Sequence, residues 1–137
     1  MPEATFSAVH HIALTVTDLD RSVEWYTRVL GFAPLFPYDT DDFQRKILRH
    51  PNGVIIGLTR HHGGADGSFD EKRAGLDHVA FEVEADDLPA WVARLDEHGV
   101  AHSGVKQTPH TGSSLIAFRD PDDIQLELYT AVGATAR

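Results

Sequence analysis

His11-Ile12-Ala13-Leu14-Thr15-Val16 and His78-Val79-Ala80-Phe81-Glu82-Val83 share one pattern: histidine, apolar, alanine, apolar, polar, valine. Strict alternation over six residues marks a strand with one buried face. Its return in the second half of the chain marks an internal repeat. Moving outward, each strand runs into a helix. The first helix starts at a cap, Asp18, places Leu19, Val23, Tyr26 and Leu30 on one side, and stops at Gly31. The second follows Asp86, admits Pro89 because it lies in the first turn, shows Leu88, Val92 and Leu95, and stops at Gly99.

The later parts of the halves also superimpose. Leu48-Arg49-His50-Pro51-Asn52-Gly53-Val54-Ile55-Ile56-Gly57-Leu58 lies over Phe118-Arg119-Asp120-Pro121-Asp122-Asp123-Ile124-Gln125-Leu126-Glu127-Leu128. Both read as strand, tight turn, strand, and Asn52-Gly53 is a hairpin signal. The chain is therefore expected to be an α+β domain of two tandem βαβββ modules. The first spans about residues 6–60 and the second about 76–131, joined by a polar linker over about 61–75 that holds Gly63, Gly64 and Gly67.

The bulk numbers restrict the function classes. With 137 residues, 42% hydrophobic and 24% charged, the chain can bury a core of its own. A formal net charge of -9 argues against nucleic acid or an anionic membrane as partner. No apolar run is long enough to span a membrane, and residues 1–8 lack the pattern of a secretion signal, so a cytoplasmic location is expected. The absence of cysteine leaves only nitrogen and oxygen donors for any metal.

Period-two geometry places Ile12, Leu14 and Val16 on one face of the first strand and His11, Ala13 and Thr15 on the other. Val79, Phe81 and Val83 likewise oppose His78, Ala80 and Glu82, and Ile124, Leu126 and Leu128 oppose Gln125, Glu127 and Tyr129. The face away from the helices thus collects His11, His78 and Glu127. Singly, each reads as an ordinary rim or surface residue. Together, three metal-ligating types on one face point to a shared ion.

His11-x-x-Leu14-x-Val16-x-Asp18-Leu19-x-x-Ser22-x-x-x-Tyr26, Leu30-Gly31-Phe32, Asp77-His78-Val79-Ala80-Phe81, and Phe118-Arg119-Asp120-Pro121-Asp122 with Leu126-Glu127-Leu128 resemble the vicinal oxygen chelate superfamily. That superfamily contains glyoxalase I, extradiol dioxygenases, fosfomycin-resistance transferases and bleomycin-binding proteins. The likeness runs from Val9 to Tyr129. It implies a half-open mixed β-barrel of the glyoxalase and dihydroxybiphenyl dioxygenase type, with His11, His78 and Glu127 as ligands of one divalent ion. Four-ligand relatives carry glutamate or glutamine where this chain has Gly57.

Two histidines and a carboxylate form the ligand set of non-haem iron(II) oxygenases. The resemblance therefore favours Fe2+, with Mn2+, Zn2+ and Ni2+ as alternatives. Thr108-Pro109-His110, Ile116, Asp120-Pro121 and Glu127 resemble the extradiol dioxygenase signature, with Ala117 in place of its tyrosine and Asp123 in place of its turn glycine. His110 would then be an acid–base group, and a turn histidine is the equal alternative. Thr15 and Tyr129 share the ligand face as candidate pocket residues. The implied activity is extradiol-type oxidation of a small molecule. Glyoxalase-type lyase or isomerase chemistry, fosfomycin-type thiol transfer, and metal-free antibiotic binding are the other readings. Small members of the superfamily are often homodimers, which is the state expected here.

Overall fold

The structure, a computed structural model, describes residues 3–65 and 67–131. The chain divides into two compact units, Met1–Asp66 and Gly67–Arg137. In the first unit, β1 (Ile12–Thr15) leads through α1 (Leu19–Leu30) to β2 (Ala33–Asp39), β3 (Phe43–Arg49) and β4 (Ile55–His61). In the second, β5 (Val79–Glu82) leads through α2 (Leu88–Glu97) to β6 (Lys106–Gln107), β7 (Ser114–Arg119) and β8 (Gln125–Tyr129). The sheet orders are β1-β4-β3-β2 and β5-β8-β7-β6, the same topology twice. In each, the first strand runs parallel to the last, which a helical crossover permits, and the remaining pairs are antiparallel.

The repeat holds to the residue. Ala13 stands opposite Gly57 in the first sheet, and Ala80 stands opposite Glu127 in the second. Alternation decides which face is buried. Leu14, Val16, Ile56 and Leu58 are buried in the first unit, as are Val79, Leu126 and Leu128 in the second. His11, Ala13, Thr15, His78 and Ala80 on the opposite faces are exposed.

Helix α1 shows why the chain turns where it does. Asp18 is extended at φ -136, and its Oδ1 accepts a hydrogen bond from the Arg21 backbone N–H at 3.1 Å. At the other end Gly31 takes φ 84, a left-handed conformation that a Cβ would strain. There the Gly31 and Phe32 N–H groups donate to the carbonyls of Thr27 and Tyr26. The buried stripe of the helix, with Leu19, Trp25, Tyr26, Val29 and Leu30, packs against its own sheet.

Two local expectations need correction. The second helix does not begin directly after Asp86. Ala85–Asp87 form a single 3-10 turn, and α2 starts at Leu88 with Pro89 at its first positions, where no N–H is needed. The linker also starts later than residue 61. The β3–β4 ladder continues to the Phe43–His61 pair, whose rings meet edge to face at 5.9 Å. His61 therefore belongs to a strand. Among the described residues no helix is long and apolar enough to cross a membrane.

Candidate metal centre

In the second unit, His78 sits just before β5 and Glu127 lies within β8. Their ladders are adjacent, and the Val79–Leu126 and Ala80–Glu127 register brings the two side chains together. His78 Nε2 lies 3.5 Å from Glu127 Oε2. The other ring nitrogen, Nδ1, is 2.7 Å from Asp77 Oδ1. When Nδ1–H donates to that carboxylate, Nε2 keeps its lone pair and turns it towards Glu127. A carboxylate that orients a histidine in this way is the usual companion of a metal-ligating imidazole.

The separation suits a shared ion. Two donors each about 2.1 Å from one centre, at a tetrahedral angle, stand about 3.4 Å apart. Glu127 is also unusual for a carboxylate in a strand, with a side chain only 15% exposed. Partial burial of that charge favours a positive partner, and a cation held with His78 would supply one.

His11 lies in the first unit, immediately before β1, with its ring exposed. Its Nδ1 is 2.8 Å from His10 Nδ1, one of the two acting as donor, and Nε2 takes no part in that contact. Among the described residues, no three His, Cys, Asp or Glu side chains are gathered to hold an ion. His78 and Glu127 thus lie together in the second unit, and His11 lies in the first.

The other candidates fall in different settings. Thr15 is exposed on β1, and Tyr129 is half-buried on β8. His110 is exposed in the turn between β6 and β7, which is closed by Thr108 N–H to Ser113 O at 2.9 Å and by the Thr108–Thr111 hydroxyl contact. Among the described residues its ring has no hydrogen-bond partner. Asp123 takes the left-handed turn position at φ 62, stabilised by its N–H to Asp120 O at 3.0 Å. Aspartate thus does the work of the signature glycine.

Two residues escaped the sequence reading. Asp77 directly precedes a proposed ligand, and that adjacency was the available signal. Arg45 gave no signal, because the repeat that marks β3 begins only at Leu48. A Cβ at residue 57 would lie 3.4 Å from Arg45 Cδ and 3.6 Å from both Ala13 Cβ and Ile47 Cδ1. The place of a fourth ligand in relatives is therefore overlain here by an arginine stem.

Comparison with known proteins agrees with this architecture. Residues 8–128 match the family described as the Glyoxalase/Bleomycin resistance protein/Dioxygenase superfamily. The chain is 38% identical to the solved glyoxylase/bleomycin resistance protein/dioxygenase domain from Frankia sp. EAN1pec, with a TM-score of 0.85 and 93% of each chain covered. It is 31% identical to a probable lactoylglutathione lyase of Vibrio cholerae, over 86% of each chain. It is 29% identical to the metallothiol transferase FosB of Shouchella clausii, over 90% of this chain and 80% of that one.

Proposed function

The chain belongs to the glyoxalase/bleomycin resistance protein/dioxygenase superfamily, and from that membership we propose a metal-dependent enzyme acting on a small molecule held through two neighbouring oxygens. Its ligands in this reading are His11, His78 and Glu127. The observation that carries the proposal is the 3.5 Å approach of His78 Nε2 to the poorly exposed Glu127 carboxylate. Metal-free antibiotic binding accounts less well for that pair, because it gives the poorly exposed Glu127 carboxylate no metal ion beside it.

When bound, a divalent ion would supply Lewis-acid polarisation of the substrate oxygens. The chain's own groups do the rest. Asp77 holds the His78 ring in one tautomer, Glu127 contributes the negative charge of the site, and Thr15 and Tyr129 offer hydroxyls to the substrate. His110 exchanges a proton with the substrate from its loop. Of the chemistries open to this ligand set, extradiol-type oxidation with Fe2+ suits it best, because two histidines and one carboxylate leave room for exogenous groups. The relatives named as a lyase and a thiol transferase set the competing assays. Oxygen uptake with a catechol panel, run beside hemithioacetal isomerisation and thiol addition to an epoxide, tests the proposal. Turnover in one of the latter two assays with none in the first replaces oxidation by that chemistry.

Asp77→Asn is expected to lower metal affinity by about 10–100-fold, the usual effect of removing an outer partner of a ligating histidine. Competition titration against a chelator measures this, and unchanged affinity removes Asp77 from the centre. His110→Gln is expected to retain the metal while lowering turnover by about 100-fold or more. Unaltered turnover and an unaltered pH profile return His110 to the status of a turn residue.

A further inference from the structure

Arg45 stands on β3, on the face shared with Phe43 and Ile47, opposite Thr59 of β4 and Tyr38 of β2. Thr59 in turn pairs with Thr15 of β1, so this is the same face of the first sheet that bears Thr15 and Ala13. The guanidinium is held from two sides. Its Nε–H donates to the buried Thr59 Oγ1 at 2.7 Å, and its carbon sits 4.2 Å from the centre of the Phe43 ring. The Tyr38 ring, stacked with Phe43 at an interplanar angle of 17°, lies 6.0 Å from that carbon. The stem rests over Gly57, 3.4 Å from where a Cβ would be.

The two Nη amino groups are left over. The chain has 21 Asp and Glu against 12 Lys and Arg, so an arginine here has many potential carboxylate partners. Among the described residues, no carboxylate pairs with the Arg45 guanidinium. Asp39 accepts only from its backbone N–H, at 3.3 Å. A half-buried guanidinium fixed by a hydroxyl and an aromatic face, with its fork unfilled, is preorganised for a planar or tetrahedral oxyanion. The fixed geometry lowers the ordering cost of binding. The half-exposed Tyr38 and Phe36 beside it on β2 offer apolar surface for the organic part of a ligand.

We propose that Arg45 is the anion-recognition residue of this chain, and that its substrate carries a carboxylate, phosphate or phosphonate group besides the oxygens that meet the metal. The substrate assignment rests on the function proposed above; the anion site itself does not require a metal. Glycine at residue 57 then has a second meaning. Where four-ligand relatives place glutamate or glutamine, this chain has no side chain, and among the described residues no carboxylate neutralises Arg45.

The test is an NMR titration of the chelator-treated full chain with inorganic phosphate and, separately, with acetate, following the Arg45 Nε–Hε resonance. A saturable shift is expected with at least one of the two, and the stronger one identifies the oxyanion class. Arg45→Gln should weaken the binding, read from backbone amides of β3 and β4, by about tenfold or more. Gly57→Glu should weaken it comparably, because the new carboxylate occupies the guanidinium while Arg45 remains. Absence of saturable shifts in the wild type, or wild-type affinity retained in both variants, overturns the proposal. Metal loading of the wild type, measured beside its anion titration, separates the two readings. Anion binding in a chain that takes up no metal defeats the proposed enzyme and keeps this site. Metal uptake without anion binding at Arg45 does the reverse.

Discussion

Tyr26→Ala is expected to destabilise the protein by about 3–5 kcal/mol, the range for emptying an aromatic position in a packed core. Tyr26 is 0% exposed on α1, with the Trp25 ring 5.0 Å away and the Phe32 ring 6.2 Å away, both near edge-to-face. Its backbone carbonyl also accepts from the Phe32 N–H where the helix ends, so the side chain anchors the stretch that carries the chain from α1 into β2. Truncation leaves a void that the flanking rings cannot fill without leaving their rotamers. A fall in melting temperature of about 10 °C or more follows for a chain of this size. Thermal and urea unfolding followed by circular dichroism measure it. Tyr26→Phe should cost only about 1 kcal/mol, the worth of an ordinary hydroxyl hydrogen bond. If Tyr26→Ala melts within a degree or two of the wild type, the packing of α1 on its sheet is not as described.

The fold was legible because the repeat carries its own check. The strands that follow His11 and His78, the Asp18 cap and the Gly31 stop are each local signals, and the structure has each within a residue of where the sequence places it. The ladder that pairs Ala13 with Gly57 and Ala80 with Glu127 follows from period-two alternation in two copies. The 3-10 turn at Ala85–Asp87 was not legible, since its tight hydrogen bonding has no composition of its own. The end of β4 at His61 was missed because a histidine next to a second histidine and two glycines looks like loop. Only pairing with Phe43 makes it strand.

The candidate site divides in the same way. His78 and Glu127 could be found from face and register, and the structure brings their side chains together. Asp77 and Arg45 could not, because their roles depend on side-chain direction: a carboxylate lying against its neighbour's Nδ1, and an arginine stem lying across a glycine. Alternation tells which face a residue is on and says nothing of where a long side chain bends.

The second large effect is on the metal, and it bears on the central claim that this superfamily domain is built around an ion held by His11, His78 and Glu127. In the proposed centre each of these residues contributes one of three protein donors, and removing any of them leaves two. The expected loss of affinity for His11→Ala, His78→Ala and Glu127→Ala is therefore more than about 100-fold, above the range for an outer-sphere partner. Glu127→Ala should show the largest drop, since it removes the only negative donor of the three. The folded cores should persist, because none of the three side chains is among the buried core residues. The deciding measurement is metal stoichiometry by elemental analysis after anaerobic purification, stripping and reloading with Fe2+ or Mn2+, on the wild type and the three variants, with circular dichroism to confirm folding. About one ion per wild-type chain, lost in every folded variant, is the result expected of a three-donor centre. Wild-type loading retained by all three variants, or no saturable loading of the wild type, contradicts it.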